Sequence, residues 1–164
     1  MVPVLSETPE AWHVDLHGRK VTSINVGLDV MLVLGGESDA EGSVELIAPF
    51  ELRLPGDDPV VLDPADQATL GPLLRCHQKI VDSVVVSPRD SSLAVAFTDG
   101  TTIAVEAHER FQAWEVFVRA FPSRSRDGVK IIASYGDDEE PTVFDSRNQV
   151  EGQTVDASEL ELDE

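Results

Sequence analysis

The stretch Leu93-Ala94-Val95-Ala96-Phe97-Thr98-Asp99-Gly100-Thr101-Thr102-Ile103-Ala104-Val105-Glu106 decides the fold class. Leu93, Val95 and Phe97 alternate with small residues, the period-two pattern of a strand with one buried face. Thr98-Asp99-Gly100-Thr101 then interrupts the pattern, and Thr102 to Glu106 resumes it as the returning strand. Asp-Gly between two alternating runs predicts a tight hairpin with a primed turn, in which both central residues take φ > 0.

The same signature recurs on both sides. Val81 to Val86 reads as a strand, and Ser87 to Ser91 as the turn leading into the hairpin. Ala113 to Phe121 alternates again, with Trp114, Val116 and Val118 on one face and Glu115, Phe117 and Arg119 on the other. Pro122 to Gly128 is a basic turn, and Val129 to Ala133 the last strand. Toward the N-terminus, Trp12, Val14 and Leu16 alternate with His13, Asp15 and His17, and Arg19 to Val26 continues after Gly18. Leu28 to Leu34 is a nearly continuous apolar run, as expected of a central strand, and Ser43 to Leu54 follows with a break at Pro49.

One segment departs from this pattern. Pro55 to Pro59 is a loop, and Asp63-Pro64 then has the form of a helix start, with Asp at the N-cap and Pro at the first helical position. Leu70, Leu73, Leu74 and His77 at helical spacing predict one helix over residues 64–78, kinked or restarted at Gly71-Pro72. The expected architecture is mainly β (α+β): an antiparallel sandwich or partly open barrel of about seven to nine short strands with one central helix.

The chain has 164 residues and a formal net charge of −19, with 31 Asp and Glu against 12 Lys and Arg. From Gly136 to Glu164 there are eleven acids and one base, a net of −10, so the first 135 residues carry the other −9. This splits the chain into a lead-in over 1–11, one β-rich domain over 12–135, and an acidic segment over 136–164. That last segment is too polar to offset the entropy of ordering it, and is expected to be disordered. Charge of this sign repels phosphates and anionic lipids, which sets direct nucleic-acid and membrane binding aside and favours a protein partner with a basic surface. The single cysteine, Cys76, suits a reducing cytoplasm and more often fills a core than a reactive site. The N-terminus lacks a signal-peptide pattern, and no apolar run reaches the length of a membrane span.

Few residues form a pattern that carries chemistry. His13, Asp15 and His17 would share one strand face about 7 Å apart, two imidazoles and a carboxylate of the kind that binds zinc. The competing reading, which we favour, is the polar outer face of a strand whose Trp12, Val14 and Leu16 point inward. His108, Glu109 and Glu115 could supply a general acid–base pair, but the reading we favour is a strand-connecting loop, with Trp114 packing in the core and Glu115 making a structural hydrogen bond or facing water. Asp137, Asp138, Glu139 and Glu140 open the acidic segment and are interaction candidates by charge alone. There is no phosphate-binding glycine loop, nucleophile elbow or Cys-x-x-Cys pair, so no cofactor and no enzymatic activity are expected.

The run Phe97-Thr98-Asp99-Gly100-Thr101, followed by Phe111-Gln112-Ala113-Trp114-Glu115-Val116, resembles a family of small bacterial proteins of unknown function. In that family a F-x-D-G-T hairpin precedes an A-W-E-V or A-W-E-L strand. Gly18-Arg19-Lys20-Val21-Thr22, Ile47-Ala48-Pro49-Phe50 and Asp63-Pro64 match its earlier elements in order, and the resemblance covers roughly residues 17–118. Phe111-Gln112 stands where the family has Tyr-Glu. The resemblance implies a compact, bacterial, intracellular β-rich domain and transfers no catalytic residue. The expected function is a non-enzymatic acidic interaction protein of the immunity or regulator kind. The alternative is a β domain that binds a small molecule or metal, with enzymatic activity open to it.

Overall fold

Alternating Val, Leu and Ile residues along short runs give each strand one buried face, and two such faces close on each other. The computed structural model describes residues 5–7, 11–35, 40–87, 89–108, 112–120, 129–135 and 141–145. These form thirteen strands in two antiparallel sheets. In chain order the first seven are β1 (Leu5–Glu7), β2 (Trp12–Val14), β3 (Lys20–Val26), β4 (Val30–Gly35), β5 (Ala40–Leu46), β6 (Phe50–Arg53) and β7 (Val60–Leu62). After two short 3-10 segments come β8 (Val81–Ser87), β9 (Ser92–Phe97), β10 (Thr102–Val105), β11 (Trp114–Ala120), β12 (Val129–Tyr135) and β13 (Pro141–Asp145). One sheet runs β1-β2-β8-β9-β10-β6-β7 and the other β13-β12-β11-β5-β4-β3. The result is a β-rich sandwich with little helix and no closed barrel.

The core lies between the sheets. Trp114, Phe50, Leu16, Leu32, Leu46 and Leu52 are among its largest fully buried side chains, each stabilising the fold by about 1.5–3 kcal/mol through removal of apolar surface from water. The Trp114 indole Nε1 donates to the Ser91 carbonyl at 2.9 Å, which satisfies its one polar atom in the core and ties β11 to the β8–β9 turn in the opposite sheet. Ser91 reaches that position at φ +57°, in the left-handed region. A second tie closes one side of the sandwich. Gly18 and Val21 donate to the carbonyls of Val81 and Lys79, while Gln78 and Val81 donate back to Val21 and Arg19, joining β3 of one sheet to the start of β8 in the other.

Pro72 explains how the central helical segment differs from a single α-helix. Its ring would clash with the Ala68 carbonyl in a continuous α-helix, and it has no N–H to donate. The chain instead forms a 3-10 segment at Gln67–Thr69, and restarts as a second at Gly71–Cys76 with Pro72 in its first turn. Asp66, not Asp63, caps the first segment, its carboxylate accepting from the Ala68 N–H at 3.2 Å. Asp63 makes the equivalent bond to Ala65 as a turn before it.

Two further expectations are corrected. The β9–β10 turn is not primed: only Gly100 has φ > 0, at +94°. Gly100 donates to Phe97 and Phe97 to Thr101, so the loop has three residues and closes on the glycine as a bulge. Leu28 is not in a central strand but is 98% exposed before β4, which starts two residues later. In the acidic segment, residues 141–145 form β13 and pair with β12, Phe144 standing opposite Ile132.

Candidate functional site

Local backbone geometry separates the three residues of the strongest sequence candidate. β2 ends at Val14, where Leu16 N–H bonds to the Val14 carbonyl in a tight three-residue turn. Val14 and Leu16 still point into the core, so His13, Asp15 and His17 are all exposed. His17 Nδ1 lies 2.9 Å from the Asp82 carbonyl oxygen, and because a carbonyl only accepts, that nitrogen carries the proton. The Asp82 carboxylate is 3.9 Å away. Among the described residues no three His, Cys, Asp or Glu side chains are gathered as a metal-holding group. His108 is half-buried just beyond β10, and Glu115 is half-buried on the outer face of β11. Glu109 and Asp137, Asp138, Glu139 and Glu140 lie outside the described residues.

Glu115 does have chemically notable neighbours, which the sequence alone did not indicate. The β5–β11 register places Glu45 directly opposite it, and Asp29, at the entry to β4, joins the pair. Hydrogen bonding to Asp29 and then to Glu115, together with burial, pushes the Glu45 carboxyl up from 4.5 to about 8. At neutral pH the Glu45 carboxyl therefore holds its proton, which it can donate to a neighbouring carboxyl oxygen. The alternation Val44-Glu45-Leu46 predicts that Glu45 faces out. Its partners follow only from strand register, which a single sequence does not encode.

The wider surface is dominated by carboxylates. Of the thirteen Asp and Glu residues whose burial is described, nine are exposed, against four exposed among six Lys and Arg. Few of these charges are compensated. Lys79 pairs with Asp99, Arg75 lies 3.7 Å from Asp57, and His17 lies beside Asp82. The Lys79 ammonium holds the Asp99 carboxyl down to about 2. Cys76 is fully buried, and burial pushes its thiol up to about 11, so it is a core residue and not a nucleophile at neutral pH.

A shallow pocket of about 360 Å³ opens between the β6–β7 hairpin and the second 3-10 segment. Its apolar lining is Leu52, Leu54 and Val60, and Asp57, Asp58 and Arg75 supply its charges. The loop that carries the two aspartates is a turn with Pro55 and Gly56 at its centre. Asp57 N–H bonds to the Leu54 carbonyl at 3.1 Å and Gly56 takes φ +78°, as a type II turn requires. No described helix is long and apolar enough to cross a membrane.

Residues 12–121 match the model of a family described as a family of unknown function, DUF6188. No curated protein and no solved structure matches the chain.

Proposed function

The chain belongs to that family of unknown function, DUF6188, and with no activity to carry over from it we propose that the protein is a non-enzymatic, acidic interaction module for a basic protein partner. The observation that carries this reading is the excess of surface carboxylates: nine exposed Asp and Glu against four exposed Lys and Arg among the residues of described burial, three of the nine lying beside a basic side chain. Such a surface attracts a basic partner over a distance, raises the association rate and disfavours anionic competitors. We place the protein in the reducing cytoplasm of a bacterial cell, in keeping with its single buried cysteine.

Affinity capture on the tagged full-length chain from its native cells tests the proposal. A stoichiometric partner of basic isoelectric point, released by a rising salt gradient, is the expected result. A partner that is itself acidic, or one retained unchanged through the gradient, overturns it.

A further inference from the structure

β7 is the last strand of its sheet, and among the described residues it pairs only with β6. Its outer edge therefore offers unpaired backbone donors and acceptors, the arrangement to which an extended segment of another chain adds as a further strand. Val60 and Val61 on this strand are 42% and 69% exposed. The pocket lies beside this edge, with Val60 and the exposed Pro72 in its wall and the buried Leu52 and Leu54 at its base.

The charges select the occupant. Arg75 is already within 3.7 Å of Asp57. Asp58 is exposed and makes no ion pair among the described residues, which leaves the pocket one carboxylate in excess. An apolar wall beside a free carboxylate suits a side chain with a hydrocarbon stem and a cationic head, and the guanidinium fork of arginine matches a carboxylate better than the point charge of lysine. The volume lies at the small end of ligand sites, fitting one side chain in preference to a large ligand.

We propose that the β7 edge and its pocket receive an extended, arginine-bearing segment of the basic partner, its arginine stem on Val60 and Pro72 and its guanidinium on Asp58. This rests on the reading of the protein as a module for a basic partner, and adds where and how that partner is held.

The test is titration of the isotopically labelled full-length chain, followed by amide NMR. The probes are a capped peptide alternating valine and arginine, the same peptide with glutamate for arginine, a proline-interrupted version, and arginine amide alone. The arginine peptide is expected to shift the amides of β6, β7 and the 54–59 loop. Its binding should weaken at least about tenfold in Asp58→Asn, the loss of one charge-assisted hydrogen bond. Asp58 is an exposed loop residue, so this variant should keep the native spectrum elsewhere. The glutamate and proline peptides should leave the β7 amides unmoved. Shifts confined to other acidic surfaces would overturn the pocket assignment and leave the basic-partner reading standing. Equal binding by arginine amide or by the proline peptide would overturn strand addition. Absence of any shift with the arginine peptide would overturn the inference, whereas the basic-partner reading is decided separately by the capture experiment.

Discussion

Gly42 sits where β5 faces inward, in the alternation Gly42, Val44, Leu46. A Cβ there would lie 2.5 Å from Leu16 Cδ2 and 2.7 Å from the Phe117 carbonyl oxygen. Leu16 therefore packs directly on the β5 backbone, and the backbone oxygen cannot give way. Gly42→Ala should destabilise the fold by about 1–3 kcal/mol, read as a lowered urea midpoint with an unchanged slope. Glu45 makes a different prediction. Its folded-state value of about 8 exceeds the ordinary 4.5, so the folded state binds the proton more tightly than the unfolded chain. The stabilisation is complete below about 4.5 and is lost as pH rises through about 8. Urea midpoints measured across that window should fall with pH in the native sequence and fall less in Glu45→Gln, whose amide donates permanently. Equal slopes in the two proteins would contradict the carboxyl cluster. The inward positions of Trp114, Val116 and Val118 were legible from alternation alone, and all three are buried. The role of Gly42 was not, because it depends on Leu16 arriving from the turn after β2.

The β9–β10 hairpin shows how far an element can be read from sequence. Its strands and its glycine were evident, but the choice between a two-residue primed turn and a three-residue loop depends on pairing. Here Phe97 bonds to Thr101 and leaves Gly100 alone at positive φ. Gly100→Ala should therefore cost about 1–2 kcal/mol of backbone strain, and Gly100→Asn less, because asparagine tolerates the left-handed region; thermal melts of the two variants check the difference. The 3-10 segments show a similar limit. Asp63-Pro64 and the leucine spacing pointed to a helix, and Pro72 converted it into two short turns. The pocket went unseen because it joins a hairpin loop to one of those turns, elements more than ten residues apart in sequence. Short strands such as β1 and β7 were also missed, since three residues are too few to establish alternation.

Across the whole molecule, strand count and sheet order lay beyond the sequence, whereas the sandwich itself did not. Valine-rich alternation punctuated by turns allows few other architectures. β13 lies on the β11–β12 side of its sheet, and the described strands end at Asp145. Residues 146–164 contain six acids and one base, so their deletion lowers the net charge from −19 to −14. The deleted protein should melt at the same temperature as the full chain, and a loss of cooperative melting would show that the segment is part of the fold. Its affinity for the partner should fall only modestly, because the exposed carboxylates of the two sheets remain.

The central claim is that these carboxylates recruit a basic protein. The association rate constant of the captured partner, measured against ionic strength by stopped flow or surface binding, tests it most directly. Electrostatic steering predicts a rate that falls by about tenfold or more from low to physiological salt and beyond, while the dissociation rate changes little. An association rate independent of salt would contradict the claim.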